Sequence, residues 1–218
     1  IPKTILEKPA TIKNGILPIS NDEAIYYANF FDQKKETLKL QKFVPASGAA
    51  SRMFKFLTEF LNEFKVNEET LNAYINRKKD KELAIFIVGM EKFPFFKTVD
   101  KKLREIYPDF ENLERDYKNY YFIKLLLSEE HFNSANKPKA VLPFHLYETH
   151  IANPIEEHLN ECVHYASSKN VSNLHFTVSE IHQDLFEKAV LEVKEKIEKP
   201  SGIKINIGYS YQNKRTDS

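Results

Sequence analysis

Lys42-Phe-Val-Pro-Ala-Ser-Gly-Ala-Ala-Ser-Arg-Met-Phe-Lys55 is the stretch on which the fold turns. The short apolar run Leu40-Gln-Lys-Phe-Val44, stopped by Pro45, suits a buried strand that feeds a turn. From Ala49 onward the pattern changes: Met53, Phe54, Leu57, Phe60, Leu61 and Phe64 recur at helical spacing and make one apolar face, a core stripe. Between strand and helix the chain places six small residues, Ala46 to Ser51, among them one of its five glycines. Side chains this small stand where backbone must come close to something else. One candidate is another piece of protein, since helix and sheet pack closely at such turns. The other is a phosphate, because the first N–H groups of a helix lack intrahelical partners and carry partial positive charge. Gly48 is expected to supply backbone freedom, and Arg52 a permanent forked cation at the same mouth. The segment lacks the Gly-Lys-Ser/Thr ending of a P-loop and the three-glycine spacing of a dinucleotide fingerprint.

Outward from this stretch, two kinds of pattern alternate. Upstream, Asn21-Asp-Glu-Ala-Ile-Tyr-Tyr-Ala-Asn-Phe-Phe31 reads as a helix with Asn21 as its cap. Residues 67–130 read as almost entirely helical and highly charged, punctuated by Pro94 and Pro108, with charge runs such as Arg77-Lys-Lys-Asp-Lys-Glu82 as solvated faces. Downstream, Asn153-Pro-Ile-Glu-Glu157 opens a helix to about Ser168, Asn173 to Val178 is a strand, Ile181 to Ile197 an amphipathic helix and Ile203 to Tyr209 a second strand. Strand, helix, strand, helix, strand predicts an α/β layer with mostly parallel pairing. The expected organisation is an α/β domain begun by residues 1–66, a helical subdomain inserted at 67–136, and the α/β domain resumed at 137–218. The start at Ile1 and the end at Arg215-Thr-Asp-Ser218 give the further expectation of a chain truncated at both ends.

Composition bounds the function. A chain of 218 residues with 42% hydrophobic and 29% charged residues can bury a core unaided and is not of disordered composition. Thirty-two basic residues against 31 acidic ones leave +1, too little field to draw nucleic acid or anionic lipid. Cys162 stands alone, so no intrachain disulfide forms, and no apolar run reaches the length of a membrane span; the expected compartment is the cytoplasm.

The loop resembles two known families. Pro45-Ala-Ser-Gly-Ala-Ala-Ser-Arg-Met53 is similar to the signature loop of sugar-nucleotide pyrophosphorylases, and Lys137-Pro-Lys-Ala-Val-Leu-Pro143 to their second element, a Pro-Lys dipeptide. Together with Phe144-His145, Asn153 to His158, Leu174 to Ser179, Ser210-Tyr-Gln212 and Thr216-Asp217, these segments resemble most of the length of an uncharacterised bacterial family, domain of unknown function 4301. The pyrophosphorylase resemblance implies a Rossmann-like, nucleotide-diphospho-sugar transferase-like fold, and a nucleoside triphosphate, nucleotide sugar or sugar phosphate as ligand. It implies catalytic roles for Arg52 on the departing phosphates and Lys139 on the α-phosphate, with Ala46, Ser47, Gly48, Ala49, Ala50 and Ser51 as the phosphate cradle. Lys55, His145 and Gln212 are further candidates to line the substrate cleft, Gln212 for the base. Mg²⁺ is the implied cofactor, although the carboxylates that hold it in those enzymes have no counterpart before Ser218, and Ser47 and Ala50 stand where the enzymes usually have glycine. The competing reading is a non-catalytic scaffold that keeps the fold while its helical insertion recognises a protein. A phosphosugar site without nucleotide is a third.

Other clusters carry less. His145-Leu-Tyr-Glu-Thr-His150 lacks zinc-protease spacing, and His158 with Cys162 has the helical spacing of a metal pair, although Cys162 fits better as a small hydrophobe beside Ile155, Leu159 and Ala166. His175 reads as a core or cleft-edge histidine.

Overall fold

The computed structural model describes residue 5 and residues 7–213. Thr216 and Asp217 lie outside them. The chain divides into two compact units, Ile1–Leu40 and Gln41–Ser218. In the first, β1 (Thr11–Ile12) and β2 (Gly15–Ile16) form a minimal ladder that turns through Lys13 and Gly15, both at positive φ, and α1 (Asn21–Lys34) follows. The cap of α1 is Ser20 rather than Asn21. Its hydroxyl accepts from the Glu23 N–H at 3.3 Å while the Glu23 carboxylate accepts from the Ser20 N–H at 2.8 Å, a reciprocal box that holds the Glu23 carboxyl below its ordinary range. No residue of α1 is buried.

The second unit is a mixed α/β fold with two apolar cores. In chain order it contains β3 (Lys42–Pro45), α2 (Lys55–Glu63), α3 (Leu71–Lys78), α4 (Lys81–Gly89), α5 (Phe96–Ile106) and α6 (Arg115–Leu127). The hairpin β4 (His145–Leu146) and β5 (Ile151–Ala152) comes next, then α7 (Pro154–Tyr165), β6 (Ser167–Ser168), β7 (Val171–Ser179), α8 (Gln183–Ser201) and β8 (Lys204–Gln212). β7 is the central strand. It pairs in parallel with β3 on one side and β8 on the other, and β6 adds a short antiparallel edge to its start. Leu174, Phe176 and Val178 alternate along β7 onto one face, where they meet Ile155 and Leu159 of α7 and Phe186 and Val190 of α8. Period-two burial on the strands and helical periodicity on α7 and α8 thus converge on one core.

The opposite face of the sheet is polar and close-fitting. Phe43, His175 and Gly208 lie in register across β3, β7 and β8. The imidazole of His175 stacks on Phe43, 5.7 Å between centroids and 13° between planes, and its Nε2 lies 2.8 Å from the Ser210 hydroxyl. Gly208 makes room for it, since a Cβ there would stand 2.7 Å from His175 Nδ1.

The five helices α2 to α6 enclose the other core, which runs from Ala50 to Leu142. The helical part therefore begins at the loop and includes α2, earlier than the expected start at residue 67. The reason is the aromatic stripe of α2: Phe60 stacks on Phe64 at 4.7 Å and meets the edge of Tyr74 at 5.3 Å, so α2 packs on other helices. Elsewhere the boundaries expected from periodicity hold within a few residues. None of the helices among the described residues is long and apolar enough to cross a membrane.

Candidate functional site

The loop after β3 is fixed at both ends by methyl groups in different cores. Ala46 is buried with the sheet and α7–α8, and Ala50 is wholly buried with the helices. A larger side chain at either position would displace one of the cores. The N–H of Ala46 donates to the Thr177 carbonyl at 2.8 Å and extends the sheet ladder by one residue. A 3₁₀ turn, Ala50–Arg52, then interposes before α2, with no side-chain cap at Ala49. Gly48 has an ordinary negative-φ backbone, contrary to the expected need for special angles, and a Cβ on it would meet nothing within 4 Å. Its smallness leaves open space above the loop.

A second segment closes on this loop from far along the chain. The Ala50 N–H donates to the Lys137 carbonyl at 3.0 Å, and the Lys139 N–H donates to the Gly48 carbonyl at 3.1 Å, giving an antiparallel bridge between Ala49 and Pro138. Proline fits there because the bridge draws on its two neighbours and not on the N–H it lacks. The Pro-Lys dipeptide is thereby tied by its backbone to the small-residue loop, and Arg52 and Lys139 are both exposed. The bridge also limits what the loop can offer an anion. The amides of Ala46 and Ala50 are committed to carbonyls, whereas those of Ser47 and Gly48 have no partner among the described residues.

The three parallel strands end at one edge, at Pro45, Ser179 and Gln212, with Ser179 and Gln212 in register. The loop leaves from this carboxyl edge, where open α/β sheets place ligands, and Gln212 stands on the same edge two strands over. Two more groups stand here, and the first escaped the sequence reading. His182, in the 3₁₀ turn between β7 and α8, has its imidazole pKa lowered by burial. Tyr211 donates its hydroxyl to the Glu187 carboxylate, which pushes the phenol up to about 12. A signal for the first existed in principle: the residues just past a parallel strand are the usual place to search.

The remaining candidates are dispersed. Lys55 is on the exposed side of α2, 3.4 Å from Glu59 one turn on. His145 opens the β4–β5 hairpin and is half-buried; no hydrogen bond, ion pair or ring contact ties it to the loop among the described residues. Within that hairpin region His150 Nε2 lies 2.9 Å from the Glu156 carboxylate, and the Tyr147 hydroxyl donates to Glu157 at 2.8 Å. His158 and Cys162 do not form a pair. Cys162 is buried, its Sγ 3.6 Å from the Asn173 carbonyl and its thiol pKa raised by burial, while His158 is turned to Lys42 and Glu161. Among the described residues no group of three or more His, Cys, Asp or Glu is placed to hold a metal ion. The loop from Pro45 to Met53 itself contains no carboxylate, so it does not fit the implied Mg²⁺ as a protein-ligated ion.

A family model described as Domain of unknown function (DUF4301) matches residues 1–218. No curated protein and no solved structure matches the chain.

Proposed function

We propose, for a chain that belongs to the DUF4301 family of unknown function, that the 45–53 loop binds the phosphates of a nucleoside triphosphate or nucleotide sugar, in the manner of a sugar-1-phosphate nucleotidyltransferase. The sheet is then part of a Rossmann-like, nucleotide-diphospho-sugar transferase-like layer. The observation that carries the reading is the pair of backbone hydrogen bonds, Ala50 N–H to Lys137 and Lys139 N–H to Gly48, which unites the two elements on which the resemblance rests. In this reading the amides of Ser47 and Gly48 receive phosphate oxygens, Arg52 forks onto the outer phosphates, and Lys139 neutralises charge at the α-phosphate. Transfer of a nucleotidyl group asks for positioning and charge neutralisation more than for covalent chemistry, which two cations and a few aimed amides supply.

Isothermal titration of UTP, CTP and the purine triphosphates against the full-length protein tests it. Arg52→Ala and Lys139→Ala should each weaken binding by about tenfold or more, the scale of one lost charged hydrogen bond. An absence of binding, or binding indifferent to both changes, overturns it.

A second reading, a scaffold whose helical part recognises a protein, is favoured by α4, where Ile85 and Val88 are 73% and 83% exposed. It becomes the better one if the loop binds no phosphate compound.

A further inference from the structure

The seam between the two cores of the second unit holds a cavity of about 270 Å³. One wall is a single stripe of α8, Leu185, Lys188, Ala189 and Glu192, at the spacing that aligns residues on one helix face. The facing wall is aromatic, formed by Phe54, Phe95, Phe132 and Phe144. Interiors elsewhere in proteins are close-packed, and a cavity of this size and lining at a subdomain seam is where small ligands are held.

The charged groups on its wall have no ion-pair partners among the described residues. Lys188 and Glu192 are one helical turn apart, the spacing at which they would ordinarily pair, yet neither forms an ion pair or side-chain hydrogen bond among the described residues. Lys137 lines the same cavity, and its ammonium has no partner among the described residues either. Ser134 is only 6% exposed, lines the cavity, and its hydroxyl makes no hydrogen bond among the described residues. Its oxygen is not among the enclosed, unpartnered side-chain atoms of the described residues, so it stays accessible to whatever occupies the cavity. Two ammonium groups against one carboxylate leave a single net positive charge on this ring-lined chamber.

We infer that this cavity is a binding site for a small organic monoanion with a flat apolar body: the body lies among the phenylalanines, and the acid group meets Lys188, Lys137 and the Ser134 hydroxyl. The inference is independent of the phosphate reading of the loop, because the Lys137 carbonyl, not its side chain, holds Ala50.

Fluorescence titration and calorimetry of the full-length protein with 8-anilinonaphthalene-1-sulfonate test it, with N-phenyl-1-naphthylamine as the same ring system without the acid. The sulfonate should bind saturably at one site. Lys188→Glu, on an exposed position of α8, should weaken it roughly tenfold, the scale of one charged contact. Ala189→Trp should abolish it by filling the chamber, and Arg52→Ala should leave it unchanged. Binding of the neutral probe as tightly as the sulfonate overturns the acid recognition. Non-saturable binding, or an affinity unmoved by Lys188→Glu in a protein with unaltered melting, overturns the site. Lys188→Glu decides even if Ala189→Trp fails to fold.

Discussion

Lys42 enters the sheet with its side chain only 11% exposed, a position a lone ammonium does not tolerate. Glu161 of α7 makes it possible: the two are ion-paired, His158 Nδ1 lies 3.3 Å from the ammonium, and the ring of Tyr165 lies under it at 5.1 Å. Hydrogen bonding to Lys42, followed by that to His158, holds the Glu161 carboxyl at about 2, against an ordinary 4.5. A carboxyl whose folded pKa is depressed adds stability that is fully present above its unfolded pKa and disappears as the pH falls through the folded one, so the window here is from about pH 4.5 down to about 2. The carboxylate is 46% exposed, so solvent screening reduces the effect to the order of 1 kcal/mol. Urea denaturation of wild type and Glu161→Gln across that window checks it. Wild type should lose about that much more stability than the variant between pH 5 and pH 2, and parallel curves would show that the pair contributes nothing. At neutral pH the variant should be the less stable, because Lys42 keeps its charge without a counter-ion.

Among the elements, α7 begins as its sequence predicts. Asn153 accepts the Glu156 N–H at 3.0 Å and Pro154 takes the first turn, where its missing N–H costs nothing. Asn153→Ala should therefore lower stability by about 1 kcal/mol, and Asn153→Asp should keep it, read as urea midpoints at constant slope. Equal loss in both would mean that something other than the cap holds Asn153. The legibility of α7, α8, β7 and β8 has a common cause: each carries its own apolar period, and each shows it to one core. The start of the helical bundle was less legible because the stripe Phe54 to Phe64 announces a buried face without naming its partner. The candidate site divides the same way. The loop and the Pro-Lys segment were visible as small-residue and cationic signatures. That Ala46 and Ala50 have spent their amides, and that Gly48 is there for space and not for its angles, depends on carbonyls at Thr177 and Lys137 that no local pattern announces. The pairing of Lys42 with Glu161 escaped for the same reason, since the two are 119 residues apart.

On the scale of the whole molecule, the arrangement of the two cores determines how the second unit should unfold. The chain passes from one core to the other twice within a few residues: from Ala46 to Ala50 through the loop, and from Ala140 to Leu142 just after Lys139. The backbone bridge between Ala49 and Pro138 ties these two crossings together. Neither core can come apart without pulling on the loop that fixes the other, so the helical and α/β parts are expected to melt in one transition. The first unit stands differently. Among the described residues, every member of both cores comes from Val44 or later, and α1 buries none of its own. Deleting residues 1–40 should consequently leave the melting temperature of the remainder almost unchanged, because no core side chain among the described residues goes with them. Calorimetry of the full chain and of the chain beginning at Gln41 measures both expectations. A fall of more than about 4 °C, which for a domain of this size corresponds to roughly 1–2 kcal/mol, would show that residues 1–40 stabilise the rest. Two resolved transitions in the shortened chain would show that the bridge fails to couple the cores; the loop of residues 45–53 would then rest on a hinge, and its amides would not be held ready for the anion proposed for them.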